Sequence, residues 1–91
     1  MIIGLPKETL QGETRIALLP TDIKLIASKN IKFQLEKGAA LSSYFSDDSY
    51  SKTGVKITND VYPDANLIIR INPPSEDEIN KINEGSCLIS L

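Results

Sequence analysis

Four residues of this chain combine a chemically useful side chain with a useful position: Arg15, Lys7, Arg70 and Asn72. Each falls where an apolar strand pattern gives way to a polar loop. In open α/β sheets that is where ligands bind, outside the carboxyl ends of the strands. Arg15 is the strongest anion receptor of the set, because a guanidinium can fork onto a carboxylate or phosphate. Its alternative is a structural role, paired with Glu8 or Glu13. Lys7 offers the same charge as a single point. Arg70 lies in an apolar run and must pair with a carboxylate, reach a cleft or snorkel into solvent, because an unpaired buried charge is costly. Period-two alternation places Asn72 on the same face as Arg70. Cys87 reads as an inert buried thiol, with no histidine or basic neighbour to lower its pKa. The Ser46-Asp47-Asp48 cluster reads as a helix start.

Composition narrows the chemistry further. The chain has 91 residues, one cysteine and no histidine, so the commonest metal ligand and general base are absent from the sequence and no internal disulfide can form. A structural metal is not expected. The net charge of -2, with Lys and Arg scattered singly, argues against a nucleic-acid footprint. No apolar run approaches the roughly 18 residues needed to span a bilayer. The N-terminus lacks the basic and apolar regions of a signal peptide, so a cytoplasmic start is expected. The glycines at 4, 12, 38, 54 and 85 never approach the G-x-G-x-x-G spacing of a dinucleotide cradle. No P-loop or nucleophile elbow is present either.

The elements that must position these residues alternate in type. Met1 to Leu5 forms a short strand, and Pro6 to Arg15 the polar loop that follows it. Thr21 is placed to cap a helix whose apolar face is Ile23, Ile26 and Ala27, ending near Asn30. Ile31, Phe33 and Leu35 alternate as a second strand, and the loop from Gly38 to Phe45 follows. Ser46 starts a short helix that stops at Gly54, and Val55 to Thr58 gives a brief strand suited to a sheet edge. Ala65 to Ile71 carries the aliphatic run expected of a strand buried on both faces. After Pro73-Pro74, Ser75 and Glu78 form a capping box, Ile79 and Ile82 an apolar face, and Gly85 the stop. Cys87 to Leu91 is a second buried-strand pattern that ends without a loop, as if cut there. Alternating strands and helices imply one domain, a three-layer α/β/α sandwich with a mainly parallel, flavodoxin-like sheet. An unpaired final strand predicts an isolated chain that associates or is marginally stable.

Gly4-Leu5-Pro6-Lys7-Glu8, Gly12-Glu13-Thr14-Arg15-Ile16-Ala17 and Pro20 resemble the N-terminal signature of the alanine dehydrogenase and pyridine nucleotide transhydrogenase family. The likeness continues through Glu36 to Ala40, Phe45-Ser46-Asp47, Gly54-Val55, Leu67 to Ile71, Pro73-Pro74-Ser75 and Glu84 to Ser90. Small departures are Ile16, where the family usually has Val, and Leu19, where Ser or Thr is common.

The resemblance implies that residues 1–91 are the first part of an N-terminal domain, with the NAD-binding Rossmann domain absent from this chain. It also implies an arginine, matched by Arg15, and a lysine of a Lys-Val-Lys-Glu-Pro motif holding pyruvate or alanine, with a histidine beyond the following strand. Asn72 occupies the place of that lysine in Arg70-Ile71-Asn72-Pro73-Pro74, and the histidine is not present. Asn72 in place of that lysine, and the Pro73-Pro74 form of the motif, make the resemblance favour the transhydrogenase alpha subunit, whose NAD(H) domain passes a hydride to NADP on a beta subunit while a membrane part moves protons. Such a subunit would be oligomeric, peripheral to the inner membrane on its cytoplasmic side, and inactive as this fragment. An alanine dehydrogenase consuming pyruvate, ammonia and NADH is the alternative, and a non-catalytic binding or assembly module is a third.

Overall fold

A computed structural model of the chain describes residues 1–26, 30–82 and 85–90. The period-two segments become five strands: β1 (Ile2–Leu5), β2 (Lys32–Glu36), β3 (Lys56–Thr58), β4 (Leu67–Arg70) and β5 (Cys87–Ser90). Between them lie helices α1 (Pro20–Ile26), α2 (Asp47–Ser51) and α3 (Glu76–Lys81). All strand pairings are parallel, in the order β3-β2-β1-β4-β5. The α/β class is as expected. The four longer strands follow the flavodoxin order, and the three-residue β3 extends the sheet beyond β2 as the expected edge strand.

Alternation along the strands divides the core between two faces. Ile3, Leu5, Phe33 and Leu35 point to one face and pack with Ile23 of α1 and Tyr50 of α2. Ile68 points to the other, where Val61, Tyr62 and Ala65 of the connection before β4 cover it. Gly4 faces this second layer. A Cβ there would lie 2.9 Å from Ile68 Cδ1 and 3.1 Å from the Cβ atoms of Ala65 and Val61, so the close approach requires glycine.

Helix ends follow local chemistry. Ser46 accepts a hydrogen bond from the Ser49 N–H, and Ser75 and Glu78 form the expected capping box. Gly54 takes the left-handed conformation, φ 91°, after α2. The start of α1 is a correction: the helix begins at Pro20, and Asp22 accepts from the Leu19 N–H at 2.9 Å, so Thr21 is not the cap. Proline tolerates this first-turn position because its missing N–H would have had no helical partner. Of the proposed apolar face of α1, Ile23 is fully buried and Ile26 is 45% exposed. Ala27 lies outside the described residues, as do Glu84 and Leu91.

The last strand is a second correction. Cys87 and Ile89 are exposed and Leu88 half-buried. Leu88 sits on the side of Ile68, under the second layer. Cys87 and Ile89 share the side of Leu67 and Ile69, the face that carries α1 and α2, but on the edge strand they remain exposed. The free thiol is thus a surface group.

Candidate functional site

The chain leaves β1 toward β2 and leaves β4 toward β5, on opposite sides, yet β1 and β4 are neighbours. Such a reversal opens a crevice at the carboxyl ends of the two strands. Loop 6–19 and the 71–75 segment form its walls.

One carboxylate stitches these walls together. Glu8 accepts hydrogen bonds from the Ile71 N–H at 2.8 Å, the Asn72 N–H at 3.1 Å and the Asn72 side-chain amide at 3.3 Å. It also lies 3.5 Å from Arg70 Nη2, with 3% of its side chain exposed. Arg70, 1% exposed, gives its remaining donors to the Asn72 carbonyl, the Tyr62 hydroxyl and Glu78. Burial alone would lower the Arg70 pKa, but its pairing with Glu78 leaves it raised. Burial would likewise push Glu78 up, yet hydrogen bonds from Tyr62 and Arg70 hold it below the ordinary carboxylate value. Desolvation, and then the bond to Glu78, raise the Tyr62 phenol. The sequence-based choice for Arg70 between carboxylate and cleft resolves as both.

Arg15 sits further out, its side chain 68% exposed, and Glu13 holds it through Nε at 3.0 Å and Nη2 at 2.8 Å. The Asn72 amide donates to the same Glu13 at 2.8 Å. Arg15 first, and Asn72 second, lower the Glu13 pKa to about 2, and Glu13 in return raises that of Arg15. A continuous chain of contacts therefore runs Glu78-Arg70-Glu8-Asn72-Glu13-Arg15.

Two clefts flank it. One, of about 440 Å³, is lined by Thr14, Arg15, Ile16, Leu19, residues 42–44 and Ile71. The other, of about 310 Å³, is lined by residues 9–11, Arg70, Asn72, Pro73, Pro74, Ser75 and Glu78. Arg15, Arg70 and Asn72 are thus brought together. Lys7 is not: it lines neither cleft, and its backbone N–H reaches Glu36 at 3.4 Å. Burial raises the pKa of Glu36, partly offset by that bond.

Sequence reasoning assigned Glu8 and Glu13 only as possible partners of Arg15 and did not see them as the pieces that join the walls. The available signal was Arg70 itself, whose burial requires carboxylates from another loop. Tyr44 was also missed. It closes a 3-10 turn at Leu41–Ser43 in the left-handed conformation, φ 66°, and is 97% exposed at the rim of the larger cleft.

The described glycines do not fit a pyrophosphate. Gly4 is packed against Ile68 and its neighbours, and the other described glycines stand alone at turns. Among the described residues no group of His, Cys, Asp and Glu could hold a metal ion, and no helix is long and apolar enough to cross a membrane.

The profile of the alanine dehydrogenase/PNT N-terminal domain matches residues 4–91. The chain belongs to this family. Among relatives, an alanine dehydrogenase of Methanococcus maripaludis is 32% identical over 99% of the chain and 25% of its own length. The NAD(P) transhydrogenase subunit alpha of Haemophilus influenzae is 31% identical over 99% of the chain and 18% of its own length. The crystal structure of transhydrogenase from Sinorhizobium meliloti superposes with a TM-score of 0.92 at 27% identity, over 99% of this chain and 26% of that one. The chain spans about a quarter or less of these relatives, which are oxidoreductases of both branches of the family.

Proposed function

We propose that this chain forms one wall of the catalytic cleft of an NAD(P) transhydrogenase alpha subunit. In this reading NAD(H) is held by a domain outside these residues, NADP(H) lies on a beta subunit, and this segment sits on the cytoplasmic side, peripheral to the inner membrane. The described residues shape the crevice and set its charge, and no cofactor cradle is found among them.

Asn72 carries this reading. It stands where the resemblance to alanine dehydrogenases calls for a lysine, and its amide is committed to Glu8 and Glu13. Among the described residues, the one charged residue lining the larger cleft, Arg15, is paired with Glu13. A carboxylate substrate would lack the lysine's charge-assisted hydrogen bond, worth about 1.5 to 3 kcal/mol, and an acid to polarise its carbonyl. The second reading, an alanine dehydrogenase, is favoured by the exposure of Arg15 at the cleft rim.

The intact protein with its partner subunits distinguishes the two. Hydride exchange between NADH and an NADP analogue, without NADH oxidation driven by pyruvate and ammonia, is the expected result. Turnover of pyruvate and ammonia without hydride exchange overturns the proposal. Absence of both activities supports the non-catalytic alternative.

A further inference from the structure

The two faces of the sheet differ over β2 and β3. Phe33, Leu35 and Ile57 turn to the apolar face shared with α1 and α2. Residues 32, 34 and 56 turn to the other, since Gln34 is in register with Lys56 and stands two positions after Lys32. A parallel sheet is ordinarily apolar on both faces, because both are covered. Here the second face is polar, and a cavity of about 260 Å³ opens on it, lined by Ile2, Lys32, Gln34, Thr53, Gly54 and Lys56 among others. Gln34 is 7% exposed, yet its side-chain amide has no hydrogen-bond partner among the described residues. Among the same residues no side-chain nitrogen or oxygen sealed from solvent lacks a partner, so the Gln34 amide keeps an opening, and the cavity it lines provides it. Lys32 and Lys56 are exposed and form no ion pair among the described residues. Glu36 continues the polar stripe at the far end of β2, where it takes the Lys7 N–H, and does not line the cavity. Two unpaired ammonium groups and a buried, unbonded amide, with no acid in the lining, make a seat for an anion.

We propose that this cavity binds a small free dianion of the phosphate class, with Lys32 and Lys56 supplying the charge and the Gln34 amide N–H donating from the floor. Two lysines match two negative charges. The volume lies below the range of about 300 to 1,000 Å³ that takes drug-sized ligands, so it suits inorganic phosphate or a short phosphate monoester and not a dinucleotide. Because Lys32 and Gln34 belong to β2 and Lys56 to β3, the bound ion bridges the three-residue edge strand to its neighbour and stabilises that edge by mass action. The site does not depend on which branch of the family the chain serves.

The test is hydrogen exchange of the β3 amides in the intact protein, titrated with inorganic phosphate at constant ionic strength. Phosphate at ten times its dissociation constant should slow that exchange about tenfold, since local opening of β3 dismantles the site. Sodium chloride at the same ionic strength should not. The double variant Lys32→Gln with Lys56→Gln should lose the effect, and Gln34→Leu should weaken binding severalfold. The lysines are exposed, so their replacement leaves the fold intact and keeps the test valid if Gln34→Leu fails to fold. No slowing by phosphate overturns the proposal. Equal slowing in the double lysine variant means an adventitious ion only and overturns it too. A third overturning result is a zero-length carbodiimide cross-link from Lys32 or Lys56 to an acidic residue outside residues 1–91, because the seat is then filled by the protein itself.

Discussion

Replacing Arg70 with methionine tests whether the buried ion network holds the crevice together. The guanidinium is 1% exposed and stands between Glu8 and Glu78, whose side chains are 3% and 14% exposed. Methionine fills much of the volume but supplies no charge and no donor. Breaking a buried pair from one side costs about 3 to 5 kcal/mol, because the remaining charge stays desolvated. Here the lower end applies: Glu8 keeps its bonds from the Ile71 and Asn72 N–H groups, and Glu78 keeps the Tyr62 hydroxyl and some solvent. The expected loss is about 3 kcal/mol, or roughly 150-fold in an opening equilibrium. Hydrogen exchange on the intact protein reads this locally, as faster exchange of the amides of β1 and β4. Combining Arg70→Met with Glu78→Gln should recover part of the loss, because one of the two stranded charges is then removed. Exchange in Arg70→Met within about threefold of the wild type would refute the argument, since so small a change is below 1 kcal/mol.

Gly4→Ala should destabilise the domain by about 1 to 3 kcal/mol, because its Cβ would meet Ile68, Ala65 and Val61 closer than packed atoms sit. A wild-type melting temperature in that variant would show that the second layer yields. In an NMR titration the Glu13 carboxyl should have its midpoint near 2, well under the ordinary 4.5. Because the folded-state value is the depressed one, the stability that Glu13 contributes is fully present above about pH 4.5 and lost as the pH falls toward 2. A midpoint at 4 or above would mean that the Arg15 and Asn72 bonds do not persist in solution.

Local chemistry made much of the fold legible. The Ser75 capping box, the Ser46 cap, the Gly54 turn and the alternation around Phe33 each involve residues within four positions of one another, so sequence order reports them directly. Three features were less accessible. At α1, Thr21 looked like a cap, but Asp22 reaches the Leu19 N–H and moves the start back to a proline. At β5, the aliphatic pattern of Cys87 to Ser90 resembles that of β4. Burial depends on whether another layer lies over the edge, which the pattern cannot report. The candidate site was half legible: Arg15, Arg70 and Asn72 were identifiable by type, whereas Glu8 and Glu13 are ordinary loop acids until strand order brings 8 and 13 beside 71 and 72.

The bonds from Ile71 and Asn72 to Glu8 span 63 and 64 residues of sequence. Loop 6–15 is therefore shaped by β4, and β4 must lie beside β1 before Glu8 can receive those N–H groups. During synthesis the chain emerges from its N-terminus, so the loop leaves the ribosome long before its template exists. Closing so long a connection is slow compared with making a helix or a turn. A loop made before β4 thus takes its working shape only once residues 71 and 72 are in place.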